Sequence, residues 1–169
     1  MGFDLHGMNP VIREGEDPKA PKNLWSEETS EKVRDKYFEK KWAFEEKNPG
    51  IYFRNNVWWW RPLWDYVYNE CQDILTEKDW DSGHYNDGHA ISEEKAVQIG
   101  KRLNELIESG KAQAYVDAHD EERKLAKEGN KGLKSSDEGY SWEDSYPISL
   151  DNIQSFAVFC SESGGFEIC

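Results

Sequence analysis

Residues 2–7 read Gly2-Phe3-Asp4-Leu5-His6-Gly7, with apolar and polar side chains in alternation. That is the period of a short strand carrying Phe3 and Leu5 on one face. The chain closes on Gly165-Phe166-Glu167-Ile168, which repeats the small, aromatic, acidic, aliphatic order. Two such strands side by side would bury Phe3, Leu5, Phe166 and Ile168 together. Asn9-Pro10 ends the first strand, and Gly164-Gly165 supplies the left-handed cap that a preceding helix needs before the last one. The two ends therefore predict a small sheet, and what lies between them decides what covers it.

Most of that interior has helical spacing. Ser26 before Glu27 and Glu28 predicts an N-cap and a helix to about Lys47, with Val33, Tyr37, Phe38, Trp42 and Phe44 as a partial stripe. Asn48-Pro49-Gly50 terminates it, and Ile51–Arg54 is a second strand candidate. Pro62 suits the first turn of the next helix. Leu63, Val67, Cys71 and Ile74 or Leu75 then recur at helical spacing to about Thr76. Asp79–Gly88, rich in Asp, Asn and Gly, reads as loop. Ser92 caps a helix with Ala96, Ile99, Leu103, Leu106 and Ile107 inward, ending at Ser109-Gly110, and a further helix covers about 111–127. Ser149 caps the last, with Leu150, Ile153, Phe156, Ala157 and Cys160 inward. The expectation is an α+β fold: one helix-rich domain over 1–169, with a small sheet formed by short N- and C-terminal strands. Residues 11–49 read as an inserted loop-helix arm, and 128–146 as a mobile loop.

The 169 residues include 21 Lys and Arg against 34 Asp and Glu, a formal charge of −13. So polar a chain could be disordered, but 14% aromatics, with eight Trp, predict folding around few, bulky anchors. The acidity argues against direct nucleic-acid binding, which relies on Lys and Arg neutralising phosphates. No run approaches the roughly 18 apolar residues of a membrane helix, and the N-terminus lacks the features of a signal peptide. Cys71, Cys160 and Cys169 form no C-x-x-C pair, so reduced thiols in a cytoplasm fit better than disulfides or a zinc ribbon. No cofactor is expected.

Three stretches carry a resemblance: Gly2-Phe3-Asp4 with Asn9-Pro10; Tyr52-Phe53-Arg54-Asn55-Asn56-Val57-Trp58-Trp59-Trp60-Arg61-Pro62-Leu63-Trp64; and Phe156 through Ser163-Gly164-Gly165-Phe166-Glu167-Ile168-Cys169. Together they resemble a group of uncharacterised proteins encoded by bacteriophages and by bacteria, often in prophages. The likeness covers the first ten residues, about 50–116 and about 146–169. Members of that group often carry a zinc-knuckle insertion ahead of a Tyr-Pro like Tyr146-Pro147. This chain has no cysteine between Cys71 and Cys160, so that metal site is lacking here. The resemblance implies a phage context in a bacterial host and supplies no mechanism.

Two segments offer chemistry. Trp58, Trp59 and Trp60 cannot all face one way on a helix or a strand. An exposed indole beside Arg54, Asn55, Asn56 and Arg61 could stack a planar ligand while a guanidinium holds phosphate or carboxylate. The competing reading makes the tryptophans core and pairs the arginines with acids. In Asp81–His89, residues His84, Asp87 and His89 could bind a divalent metal or form an Asp–His base, and His84, Asn86 and Asp87 could contact a polar ligand. The competing reading is a turn that caps the following helix. A third feature is charge: nine acids and one base, Lys78, lie between Asp65 and Glu94.

These features predict a small, acidic, phage-type binding protein of the host cytoplasm without catalytic turnover. It would alter a host process, anti-defence being one such process, by occupying a host protein or a small polar, nucleotide-like ligand. Two alternatives are a metal-dependent hydrolase acting on a nucleotide or phosphoester and a DNA-mimic inhibitor acting through the acidic face.

Overall fold

The computed structural model describes residues 2–169. Its elements run β1 (Gly2–Gly7), α1 (Glu31–Lys47), β2 (Tyr52–Asn56), α2 (Val57–Glu70), α3 (Glu77–Ser82), β3 (His89–Ile91), α4 (Glu93–Glu108), α5 (Lys111–Gly129), α6 (Leu150–Glu162) and β4 (Phe166–Ile168). The strands form one antiparallel sheet in the order β2-β1-β4-β3. The fold is α+β, and the terminal strands do pair, with Leu5 opposite Ile168. Phe3, Leu5, Phe166 and Ile168 are buried together, as their alternation requires. Gly164 and Gly165 take φ of 62° and 86°. These left-handed values let the chain turn from α6 into β4 without a Cβ penalty. Among the described residues no helix is long and apolar enough to cross a membrane.

Large aromatic rings make the centre of the core. Trp60 stacks between Phe3 and Trp64, at 5.6 and 5.3 Å between ring centroids, and meets Phe156 edge-on. Phe156, Phe159 and Phe166 continue the cluster under the sheet. Around it, α4 and α6 pack closely at Gly100, where a Cβ would sit 2.3 Å from Ser161 Oγ. Ser92 and Ser149 cap α4 and α6, accepting hydrogen bonds from the backbone N–H groups of Lys95 and Asn152.

Several boundaries differ from the sequence reading, each for a physical reason. α1 starts after Ser30, not Ser26, because 21–29 folds into consecutive turns. β2 extends to Asn56, carried by its register against β1 from Gly2 to His6. α2 begins at Val57 because the Asn56 side chain accepts from the N–H groups of Trp58 and Trp59. Pro62 consequently lies inside the helix rather than in its first turn, and Trp58 C=O loses its usual donor four residues on. α2 ends at Glu70, and a new helix, α3, starts after its cap Thr76. There Thr76 and Asp79 exchange backbone and side-chain hydrogen bonds in a capping box. Part of the expected 79–88 loop is thus helical, and His89–Ile91 pairs with β4 as an edge strand. Within 128–146 a single 3-10 turn forms at Glu143–Ser145, and Asn130 ties the segment by exchanging hydrogen bonds with the Ser141 backbone.

Candidate functional site at the start of the second helix

The tryptophan run divides by helical phase. Trp60 lies on the stripe of Leu63, Trp64, Val67 and Cys71 and is fully buried, its Nε1–H donating to Gly83 C=O at 2.7 Å. Its expected role as a contact residue is overturned: packing on three rings leaves nothing of it to reach a partner. Trp59 is half-buried. Trp58 is exposed and turns toward the 140–147 segment, stacking with Trp142 (6.4 Å, 18°) and tilting against Tyr146 at 5.2 Å.

The flanking polar groups also separate. Asn56 is engaged as the α2 cap, and Asn55 Nδ2 donates to Asn152 Oδ1 at 3.0 Å. Both expected ligand amides therefore join elements of this chain. Arg54 stands directly opposite Asp4 across the β1–β2 ladder, with Nε 3.4 Å from its carboxylate. Asp4 also accepts from Tyr52 Oη–H, and burial together with that carboxylate pushes the Tyr52 phenol up to about 12. Arg61 is different. It is exposed, has no ion pair among the described residues, and makes one long contact, Nη1 to Tyr146 Oη at 3.5 Å.

Arg61 borders a cavity of about 290 Å³ between α2, α5 and the 143–146 turn. Tyr115, His119 and Arg123 enter it from one face of α5, four residues apart, with Glu122 beside them; Glu143 and Tyr146 close the other side. Arg123 is held by Asp120 and by the Asp144 carbonyl. Burial, with Arg123 close by, lowers the His119 pKa, and its buried Nδ1 has no hydrogen-bond partner among the described residues. Burial also raises the Tyr115 phenol. No motif in the sequence analysis pointed to these residues. The 115-119-123 spacing was visible, but nothing local showed that it faced Arg61.

The 81–89 segment packs on the same helix. Trp64 Nε1–H donates to Trp80 C=O at 3.1 Å, and Gly83 lies so close that a Cβ would stand 2.1 Å from Trp64 Nε1. His84 sits between two acceptors: Nδ1–H meets Trp80 C=O at 2.8 Å, and Nε2–H meets Asp65 Oδ1 at 3.2 Å. An acceptor at each nitrogen favours the protonated ring. The Asp65 bond, opposed by burial and aided by the carbonyl, raises its pKa. For Asp65 burial acts upward, but the bonds from His84 and Trp80 Nε1–H outweigh it and lower the pKa.

This arrangement does not bring the alternative metal trio together. Both His84 nitrogens are engaged, His89 Nε2 turns instead to Asp79 at 3.0 Å, and Asp87 is exposed. Among the described residues no three His, Cys, Asp or Glu side chains are grouped to hold a metal. Asn86 is also structural, donating through Nδ2 to Gly2 C=O at 2.7 Å and so tying the segment to β1. Asp79 is buried. Burial pushes its carboxyl upward, but Lys95 Nζ at 2.6 Å, Thr76 and His89 hold it well below the usual range. The acidic stretch is correspondingly diluted, since Asp65, Asp73 and Asp79 pair with His84, Arg102, and Lys95 with His89.

No protein-family model, no curated protein and no solved structure matches the chain.

Proposed function

We propose that the chain is a phage-type binding protein of the bacterial cytoplasm. It alters a host process without catalytic turnover, by occupying a host protein or a small polar, nucleotide-like ligand at the Arg61 hollow. One observation carries this reading: an exposed guanidinium with no ion pair among the described residues borders a cavity walled by Tyr115, His119 and Tyr146, with Asp65, Glu122 and Glu143 also in its lining. Arg and aromatic residues dominate the energetics of recognition surfaces, and a guanidinium reads planar anions in a fixed geometry. Trp58 and Trp142 extend the aromatic rim beside it. The thiols support binding over nucleophilic chemistry: burial raises Cys71 to about 12 and Cys160 well above its ordinary value.

The test is capture from host lysate on the immobilised full chain. Retained proteins, and small molecules released on denaturation, are identified by mass spectrometry. A discrete protein or polar ligand, competed off by excess free chain, is expected. Retention of nothing beyond what a bare matrix holds would remove the proposal.

A further inference from the structure

The two most exposed tryptophans among the described residues lie on α1 and the turns before it. Trp25 is 79% exposed and Trp42 65%. They are joined through Phe38. Trp25 and Phe38 have ring centroids 5.8 Å apart, and Phe38 and Trp42 stack at 5.9 Å and 29°. Tyr37 meets Phe38 edge-on at 5.2 Å. The result is an aromatic ladder exposed at Trp25 and Trp42 and half-buried at Phe38 between them, running from the preceding turn onto a 17-residue helix in which Phe44 alone is buried. A helix of that length is marginal by itself in water and takes its stability from an apolar face packed on something. The ladder is such a face, and this chain leaves it uncovered.

Charge permits a second copy of the chain to cover it. Residues 19–47 hold eight Lys and Arg against seven Asp and Glu, a net +1, which leaves −14 on the rest of the chain. Screening at physiological salt confines repulsion to about 8 Å, so the local charge at a contact decides whether two copies can meet. Across most of this molecule, copy against copy sets acid against acid. The ladder segment is one of two stretches where they can approach without that cost, residues 111–134 being the other at the same net +1. The area is sufficient too: aromatics exposed to this degree offer about 500 Å² per chain, so a two-fold contact buries about 1,000 Å² in total.

We propose that the ladder of Trp25, Phe38 and Trp42 is the interface of a two-fold dimer, in which α1 of one chain packs against α1 of a second copy. A symmetric contact buries the same patch on both partners and closes after two copies. The ladder shares no residue with the Arg61 hollow, so the two proposals stand or fall separately.

Sedimentation velocity on the full chain, from about 2 to about 200 μM, brackets the micromolar affinity that an interface near 1,000 Å² supports. The mass should rise from 19.7 kDa toward twice that value. Trp42→Glu, placing a charge in the ladder at an exposed position, should hold the chain monomeric throughout with an unchanged circular dichroism spectrum. Trp25→Ser should weaken association at least tenfold. A wild-type chain that stays at 19.7 kDa at the highest concentration would overturn the proposal, and so would a Trp42→Glu chain that dimerises like wild type. Quenching of the ladder tryptophans by a single-stranded oligonucleotide, with no change of mass, would assign the face to another partner and equally overturn it.

Discussion

His84 shows how one side chain converts local packing into a pH response. Its raised pKa means that the folded chain binds a proton more tightly than the unfolded chain does. The stabilisation from the Asp65 and Trp80 contacts is therefore fully present below about pH 6.5, the unfolded value, and is lost as pH rises through the folded one. An NMR titration of the four histidines should place His84 above 6.5, and Asp65→Asn should bring it down. A His84 midpoint at or below 6.5 in the wild type would contradict the raised pKa. Arg54 and Arg61 were equivalent as sequence letters. The pairing of Arg54 with Asp4 is a β1–β2 register effect, and no local pattern predicts which acid stands opposite a strand residue.

Among the elements, α2 carries the argument. Its stripe of Leu63, Val67 and Cys71 was legible from spacing, and stepping that stripe back by three places Trp60 inside. The same phase sends Trp58, Arg61 and Asp65 outward together, so the division of the tryptophans lay within the periodicity. What the letters hid was the start of the helix, because Pro62 drew attention to itself as a first-turn residue. Asn56 sets the start instead, which makes it a structural residue. Asn56→Ala should cost about 1 kcal/mol, lowering the melting temperature by about 2 to 4 °C in a chain of this size. Thermal unfolding followed by circular dichroism checks this, and an unchanged midpoint would deny the cap its role. β3 was illegible for a different reason: three residues, His89-Ala90-Ile91, carry too little alternation, and their strand character comes from pairing with β4.

For the whole molecule, the sequence foretold the terminal strands closing one sheet under helices, because Gly-Phe-Asp-Leu and Gly-Phe-Glu-Ile each specify a buried face. It did not foretell the hollow, which is assembled from α2, α5 and the 143–146 turn, about 80 residues apart along the chain. Nor did net charge predict the surface. The acids of the 65–94 stretch counted as free include Asp79, which is buried with Lys95 and His89, and Asp73, which meets both terminal nitrogens of Arg102. The central claim is that the Arg61 guanidinium is held ready for something outside this chain. The most direct measurement compares wild type with Arg61→Ala in both melting temperature and capture of the partner or ligand from host lysate. The account predicts a midpoint within about 1 °C of wild type, since surface substitutions away from packed features stay within about 0.5 kcal/mol, together with at least a tenfold loss of capture. Undiminished capture by Arg61→Ala, or a chain that no longer folds, would contradict it.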